Sequence, residues 1–418
     1  ALQQQLTYQG KPPLAEDLIA KRFLFESTFV RIKHEFCDFS ADCFTPKRPV
    51  LEAAQLLMEK IFSEFKFDPE ATTVSTPVLE VLAKKRGVCQ DFAHLMLACL
   101  RSQFAFVSQH VVMLNVEADI TIGRHLHAAA KCAGVVYTGA AGDEPAATLE
   151  LIGFAQSIGL EVVCAGKGKN NPLKWDAVPA DYEAEARARN MNARMLVEFV
   201  DGSKTMVEMA AIANATGLVP DVAGMHGPAA TLDQLSKVLI PKKDGGVLNK
   251  VGVVDYSIGK GVAPGVFVVA DMSHPRISER MEDLKMGKGP YFTFHRPYHL
   301  TSLEVPLTCA RVVLYGKADM VPLAKPVAEV AAVAKKDMQP GDRLDQIGEF
   351  CYRAWVMTAE DARAARAIPS GLLAGGTVTA PIRKGDLITY ANAKPADGSR
   401  IAALRARQDE LVYGKVGA

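Results

Sequence analysis

The chain has 418 residues, of which 49% are hydrophobic and 23% charged. That composition excludes a largely disordered chain, and at about 150 residues per domain the length fits two or three domains. Lys and Arg number 48 against 47 Asp and Glu, a net charge of +1, so nothing in the charge favours nucleic acid or an anionic membrane as partner. No apolar run approaches the ~18 residues of a spanning helix. Residues 1–20 lack the basic and apolar regions of a signal peptide. The eight Cys residues include no CxxC pair, which argues against a disulfide framework and against a zinc site. A cytoplasmic setting is expected.

Residues 1–103 carry helical stripes. Pro49 precedes one in which Leu51, Ala54, Leu57, Met58 and Ile61 share a face. Thr76-Pro77 predicts the next helix, with Thr as N-cap and Pro at the first helical position, running through Val78, Val81 and Leu82 to Gly87. Residues 86–94 read RGVCQDFAH, and Phe92, Leu95, Met96, Cys99 and Leu100 continue as a helical stripe. Cys89 therefore falls in a first helical turn, where free N–H groups and the helix dipole favour a thiolate. A buried cysteine without chemistry is the plainer alternative.

From about residue 107 strands alternate with helices. Strands are expected at 111–114, 135–137 and 162–164, with helices at 121–133 and 145–158, a pattern of βαβ units and a parallel sheet. The run MLVEFV at 195–200 reads as a strand, and a helix follows from about Thr205 to Gly217. Residues 251–272 read as strands broken by Gly259-Lys260-Gly261. Beyond residue 326 comes a β-rich tail with turns at Pro340-Gly341-Asp342, Gly375-Gly376 and Lys384-Gly385-Asp386.

The words between CFTPKRP and GVCQDFAHLMLACLRS resemble the N-terminal half of bacterial transglutaminase-like cysteine proteins. The resemblance makes Cys89 the nucleophile. It also demands a His in a His-Ala-Trp word and an Asp downstream, because a thiol needs a base and the base an orienting group. Neither Trp175 nor Trp355 follows a His, and His94 lies about 140° around the helix from Cys89. No working thiol triad is expected.

Residues 107–418 resemble a bacterial family of SAF-domain oxidoreductases, similar to homoserine dehydrogenase and including relatives of 1-deoxy-D-xylulose 5-phosphate reductoisomerase. The words that carry the match include HVVMLNVEADITIG, GAAGDEP, VVCAGKGKNNPL, VEFVDGSKTMVEMAAIANATGL, GMHGPAATLDQL and GVVDYSIGKGVAPGVFVV. The resemblance implies NAD or NADP as cofactor and a small hydroxylated, phosphorylated substrate. Yet no GxGxxG occurs in the chain; Gly166-Lys167-Gly168-Lys169-Asn170 comes nearest. The implied fold class is α/β, an incomplete Rossmann-like parallel sheet with an α+β substrate domain and a C-terminal SAF (β-clip) module, preceded by a mainly helical transglutaminase-like segment. The expected divisions are 1–103, 107–165, 166–326, 327–395 and a tail at 396–418.

Site candidates follow from strand ends. Lys167 and Lys169 follow a strand, beside Asn170 and Asn171, where amines and amides can hold an anion or polarise a carbonyl; a solvated lysine loop is the alternative. Asp255 ends GVVDY and Lys260 lies five residues on, an acid and an amine suited to proton transfer to an alcohol; a surface ion pair is the alternative. The resemblance places Asn115 and Glu117 at the cofactor's nicotinamide edge. His226 is expected near substrate. Lys204 and Glu208 make an i,i+4 pair, and no metal is expected at His226, His295 or His299. Lys167, Lys169, Asn170, Asn171, Asp255, Lys260 and His226 are expected to share one cleft that takes an anionic small molecule. Three readings result: an oxidoreductase, a cysteine protein working through Cys89, and a non-catalytic binding protein. A homo-oligomer is compatible with the sequence.

Overall fold

The computed structural model describes residues 30, 33–45, 48–73, 76–103 and 110–414. The reading of residues 1–20 and the change of texture near residue 107 fall outside them.

The N-terminal part is helical: α1 (His34–Ser40), α2 (Val50–Glu64), α3 (Val78–Lys84) and α4 (Cys89–Gln103). Two short strands, β1 (Lys66–Phe67) and β2 (Arg86–Gly87), pair in parallel. Most of the predicted stripe of α2 is its buried face, since Ala54, Leu57 and Ile61 join Val81, Leu95 and Cys99 in a small core of their own with Met58 packed against it, while Leu51 is exposed. α3 ends earlier than expected. Lys85 turns left-handed at φ 50°, and Arg86 and Gly87 extend to pair with β1. Its N-cap is Pro77 rather than Thr76.

The larger part begins with β3 (Val111–Met113), α5 (Val116–Cys132) and β4 (Tyr137–Gly139), and β3 and β4 pair in parallel. Then follow α6 (Glu144–Ser157), β5 (Glu161–Gly168), α7 (Glu183–Ala188), α8 (Ala193–Val200), α9 (Ser203–Thr216), β6 (Val219–Pro220), β7 (Val253–Ser257) and β8 (Val266–Asp271). α10 (Pro275–Asp283), β9 (Tyr291–Arg296) and α11 (Thr301–Tyr315) come next. The C-terminal part holds β10 (Ala328–Ala334), β11 (Tyr352–Thr358), α12 (Ala359–Ala364), β12 (Thr377–Val378), β13 (Ala393–Lys394) and α13 (Arg400–Tyr413).

The main sheet has the order β6-β7-β5-β8-β9. It is mixed, not parallel as expected: β6, β7 and β5 run parallel, while β8 and β9 are antiparallel to their neighbours. The eight residues 258–265 between β7 and β8 are too few for a parallel crossover, which takes a dozen or more, so β8 returns on the other side of β5.

The expected strand at 195–200 is the helix α8. Asn192 caps it through its side-chain oxygen, and Leu196, Val197 and Val200 pack on Ala177 and Ala186. A six-residue apolar run reads alike as a buried strand or one helix face, and here the cap decides.

α9 is buried almost all round and lies between the sheet and the β10–β11 hairpin. Met206, Met209 and Ile212 on it unite Val254 and Val268 of the sheet with Val330, Ala354 and Val356 of the hairpin in one core. A helix buried on nearly every face needs this enclosure, and its few polar side chains, such as Glu208, need partners. α2 and α4 of the N-terminal part rest against α11. Among the described residues no helix is long and apolar enough to cross a membrane.

Candidate functional site

β5 carries the alternation Gly166, Lys167, Gly168 and then Lys169. Successive strand residues face opposite sides. A Cβ on Gly166 would stand 1.6 Å from the Asp255 carbonyl oxygen, and one on Gly168 would stand 2.2 Å from the Val262 carbonyl carbon. The glycines therefore admit neighbouring backbone, and they do not form a phosphate loop. Lys167 lies within the strand and not after it, and both lysines are buried. The solvated-loop alternative fails for both.

Lys167 points toward α9 and α6. Its Nζ lies 2.8 Å from Glu144 Oε1 and also donates to Glu208 Oε2. Glu144 opens α6 directly after the N-cap Asp143, where the helix dipole favours a carboxylate. Glu208 sits one turn after Lys204, whose Nζ is 3.4 Å from Glu208 Oε1, so the expected pair exists but belongs to a larger group. His299 completes it from the loop before α11, with Nε2 3.4 Å from Glu144 Oε1. Asp143, Glu144 and Glu208 bring carboxylate oxygens within 4.8 Å of one another.

These charges set one another's protonation. Burial pushes the Asp143 carboxyl well above its usual range, and the charges of Glu144 and Glu208 add to that. Burial also opposes ionisation of Glu144, but Lys167, Lys204 and His299 outweigh it and hold Glu144 well below the ordinary value. Burial, then the Glu144 charge, raises Glu208. Lys167 pays for burial, yet Glu208 and Glu144 more than restore its charge. Lys169 has no such carboxylate. Its Nζ donates to the Phe199 carbonyl, and burial followed by repulsion from Lys167 brings its pKa down to about 8.

Asp255 does not join this cluster. Gly166 is its register partner, so Asp255 faces away from Lys167, toward the side of Val253 and Cys164. Its carboxylate accepts backbone N–H groups from His226 at 3.1 Å, Gly227 at 2.9 Å and Tyr256 at 2.8 Å. Burial raises its pKa to about 6 against those three donors. His226 Nε2 lies 2.7 Å from Asp221, which also binds Asn249. Asp255 is thus a buried anchor for the His226 loop, and the surface ion pair with Lys260 is not formed. Lys260 is exposed on its turn. Asp255 thus leaves the expected cleft, while the loop it anchors crosses the strand end and sets Gly227 against the ring of Tyr256, the register partner of Lys167.

The remaining candidates lie elsewhere. Asn170 is exposed and Asn171 half-buried beyond the end of β5. Asn115 caps α5, accepting from Ala118 N at 2.9 Å. Burial raises the Glu117 carboxyl, and the nearby Arg194 lowers it. Cys89 is exposed at the start of α4. Asp91 accepts Val88 N–H at 2.7 Å and the Thr72 hydroxyl at 2.5 Å, and it fills the space a Cβ on Gly87 would need. The GVCQD word therefore has a capping explanation independent of chemistry.

Sequence reasoning gave no role to Asp143 and Glu144. Their signal was present in Asp-Glu-Pro, an N-cap followed by an acidic first turn, but only the fold brings that turn against β5.

Two family models match the chain. Residues 142–305 match the oxidoreductase DRL catalytic domain, and residues 38–105 match the transglutaminase-like superfamily. The first stretch contains Asp143, Glu144, Lys167, Lys169, Lys204, Glu208 and His299. Curated relatives include uncharacterized proteins Rv2569c of Mycobacterium tuberculosis and Mb2599c of Mycobacterium bovis, each 39% identical over 84 residues. That alignment covers 20% of this chain and 27% of each relative, so the chain spans about a quarter of their length. The chain thus pairs an oxidoreductase-like catalytic stretch with a transglutaminase-like one.

Proposed function

We propose that the larger part is an NAD(P)-dependent oxidoreductase or reductoisomerase acting on a small hydroxylated, anionic substrate at the carboxyl end of β5. The observation that carries this reading is Lys167 buried between Glu144 and Glu208 inside the stretch similar to an oxidoreductase catalytic domain. Ligands of α/β sheets gather at the carboxyl ends of strands. A buried, mutually compensated set of lysines and carboxylates fixes charge where a reacting oxygen gains or loses a proton.

Lys167 is held charged and orients the two glutamates. Lys169, with a pKa near 8, can give a proton to a substrate oxygen and take it back near neutral pH. Asn170 and Asn171 border the same strand end. The parallel pair β3–β4 supports a cofactor edge there, with Asn115 and Glu117 beside the carboxyl end of β3. A nicotinamide, when bound, supplies or accepts hydride. The reading includes a remnant of a Rossmann-like sheet at 107–165, a substrate domain at 166–326 and a SAF-like module at 327–395.

The test is oxidation of NADPH or NADH by the purified chain with a panel of hydroxy- and oxo-sugar phosphates. Turnover is expected, with a loss of about a hundredfold or more in Lys169→Met. No turnover with any pair, or an undiminished Lys169→Met, overturns the reading.

A second reading rests on Cys89, exposed at the head of α4 within the transglutaminase-like stretch. It requires acyl transfer from a glutamine amide or ester that is lost in Cys89→Ala.

A further inference from the structure

The chain has two tryptophans, Trp175 and Trp355, and the fold brings them together around one arginine. Their ring centroids lie 5.4 Å apart at 73°. The Arg353 guanidinium is 5.1 Å from the Trp175 ring and 4.9 Å from the Trp355 ring. Each ring rests on a left-handed glycine. A Cβ on Gly202 would come 3.0 Å from Trp175, and one on Gly224 would come 2.2 Å from Trp355.

The stack borders the charged cluster. Gly202 precedes Ser203 and Lys204 at the head of α9, and Ser203 Oγ accepts Ala354 N–H at 2.9 Å. Gly224 belongs to the same loop as Gly227, which packs against the ring of Tyr256, the register partner of Lys167. The loop that leaves Lys169 through Asn170 and Asn171 arrives at Trp175.

Arg353 lacks a carboxylate of its own. The two acidic groups near enough to act on it, Asp201 and Asp176, are each paired with a lysine: Asp201 with Lys335 at 2.6 Å and Asp176 with Lys384 at 2.8 Å. Among the described residues no ion pair includes Arg353, and its buried Nε has no hydrogen-bond partner. Burial lowers its pKa, and those two carboxylates only partly oppose the shift. Stacking on aromatic faces leaves the in-plane N–H fork of a guanidinium for an anion with two acceptor oxygens.

We propose that Arg353, clamped between Trp175 and Trp355, is the anchor for the anionic arm of a small ligand, a phosphate or carboxylate group, delivered to the site from the C-terminal β-hairpin. The role as a substrate anchor rests on the oxidoreductase reading above; the anion site itself does not.

Because both tryptophans of the chain belong to the stack, intrinsic fluorescence reports on it directly. Methyl phosphate and acetate, titrated separately into the full chain, separate the two anion classes. A saturable change with at least one of them is expected, with binding weakened at least about tenfold in Arg353→Met and in Arg353→Lys, which keeps charge but loses the fork. Circular dichroism melts establish that each variant is folded. A wild-type chain silent to both anions at millimolar concentration overturns the proposal, as does an equal response in folded Arg353→Met. Absence of nicotinamide turnover with an intact fluorescence response removes the reaction class and leaves the anchor standing.

Discussion

Lys167 and Asp255 sit one register step apart on the paired strands β5 and β7 and face opposite sides of the sheet. The single step separates a catalytic-type cluster from a loop anchor. Lys167 meets Glu144 and Glu208, whereas Asp255 collects three backbone N–H groups.

Replacing Lys167 by Met leaves Glu144 and Glu208 facing each other in a buried space with only Lys204 and His299 to compensate. Breaking a buried charge set in this way typically costs about 3–5 kcal/mol. Urea unfolding at neutral pH is expected to show a loss of that order. The two carboxylates then have folded-state pKa values above their unfolded ones, so the native state takes up protons first and the deficit shrinks as pH falls. A deficit independent of pH would show that the lysine acts by packing alone.

Lys169 carries the opposite linkage. Its folded pKa of about 8 lies below the unfolded value of about 10.4. Between those values the unfolded chain binds more protons, so this group's contribution to stability rises with pH over about 8 to 10.4. Lys169→Met is therefore expected to be more stable than the wild type at pH 7, and this advantage should narrow toward pH 10. Thermal melts of both proteins across that range supply the comparison.

Gly166 has no room for a methyl group, because its Cβ would enter the Asp255 carbonyl. Gly166→Ala is expected to cost about 3 kcal/mol or more by forcing β5 and β7 apart. Gly153 meets nothing within 4 Å, so Gly153→Ala within α6 should stabilise by a few tenths to about 1 kcal/mol. Denaturation midpoints of the two variants should move in opposite directions.

The cysteines offer a map of burial. Cys89 and Cys132 are exposed, while Cys43, Cys99, Cys164 and Cys351 are buried. Burial raises the Cys99 thiol to about 12. Brief iodoacetamide treatment of the native chain, read by peptide mass spectrometry, should label Cys89 and Cys132 first and Cys99 and Cys164 only after unfolding. Early labelling of Cys99 would mean that the N-terminal core opens readily.

Elements whose signals are local were legible in the amino-acid order. The stripe of α2 from Ala54 to Ile61, the first-turn place of Cys89, the C-terminal Gly217 of α9 and the strands on either side of Gly259-Lys260-Gly261 follow from periodicity and glycine conformation, and all stand in the structure. That order also singled out Lys167 and Lys169 as lysines following an apolar strand and His226 as a loop histidine near substrate. Tertiary structure decided what they do. Whether MLVEFV is strand or helix depends on the Asn192 cap and on a partner face at Ala177 and Ala186. Whether the sheet is parallel depends on the length of one connection. The facing of Lys167 and Asp255 depends on strand register, and a one-residue step reverses it. Glu144 reaches Lys167 across 23 residues, and Arg353 meets Trp175 from a distant part of the chain. Such pairings are absent from any local pattern, because burial and desolvation arise only when distant segments close around the same charges.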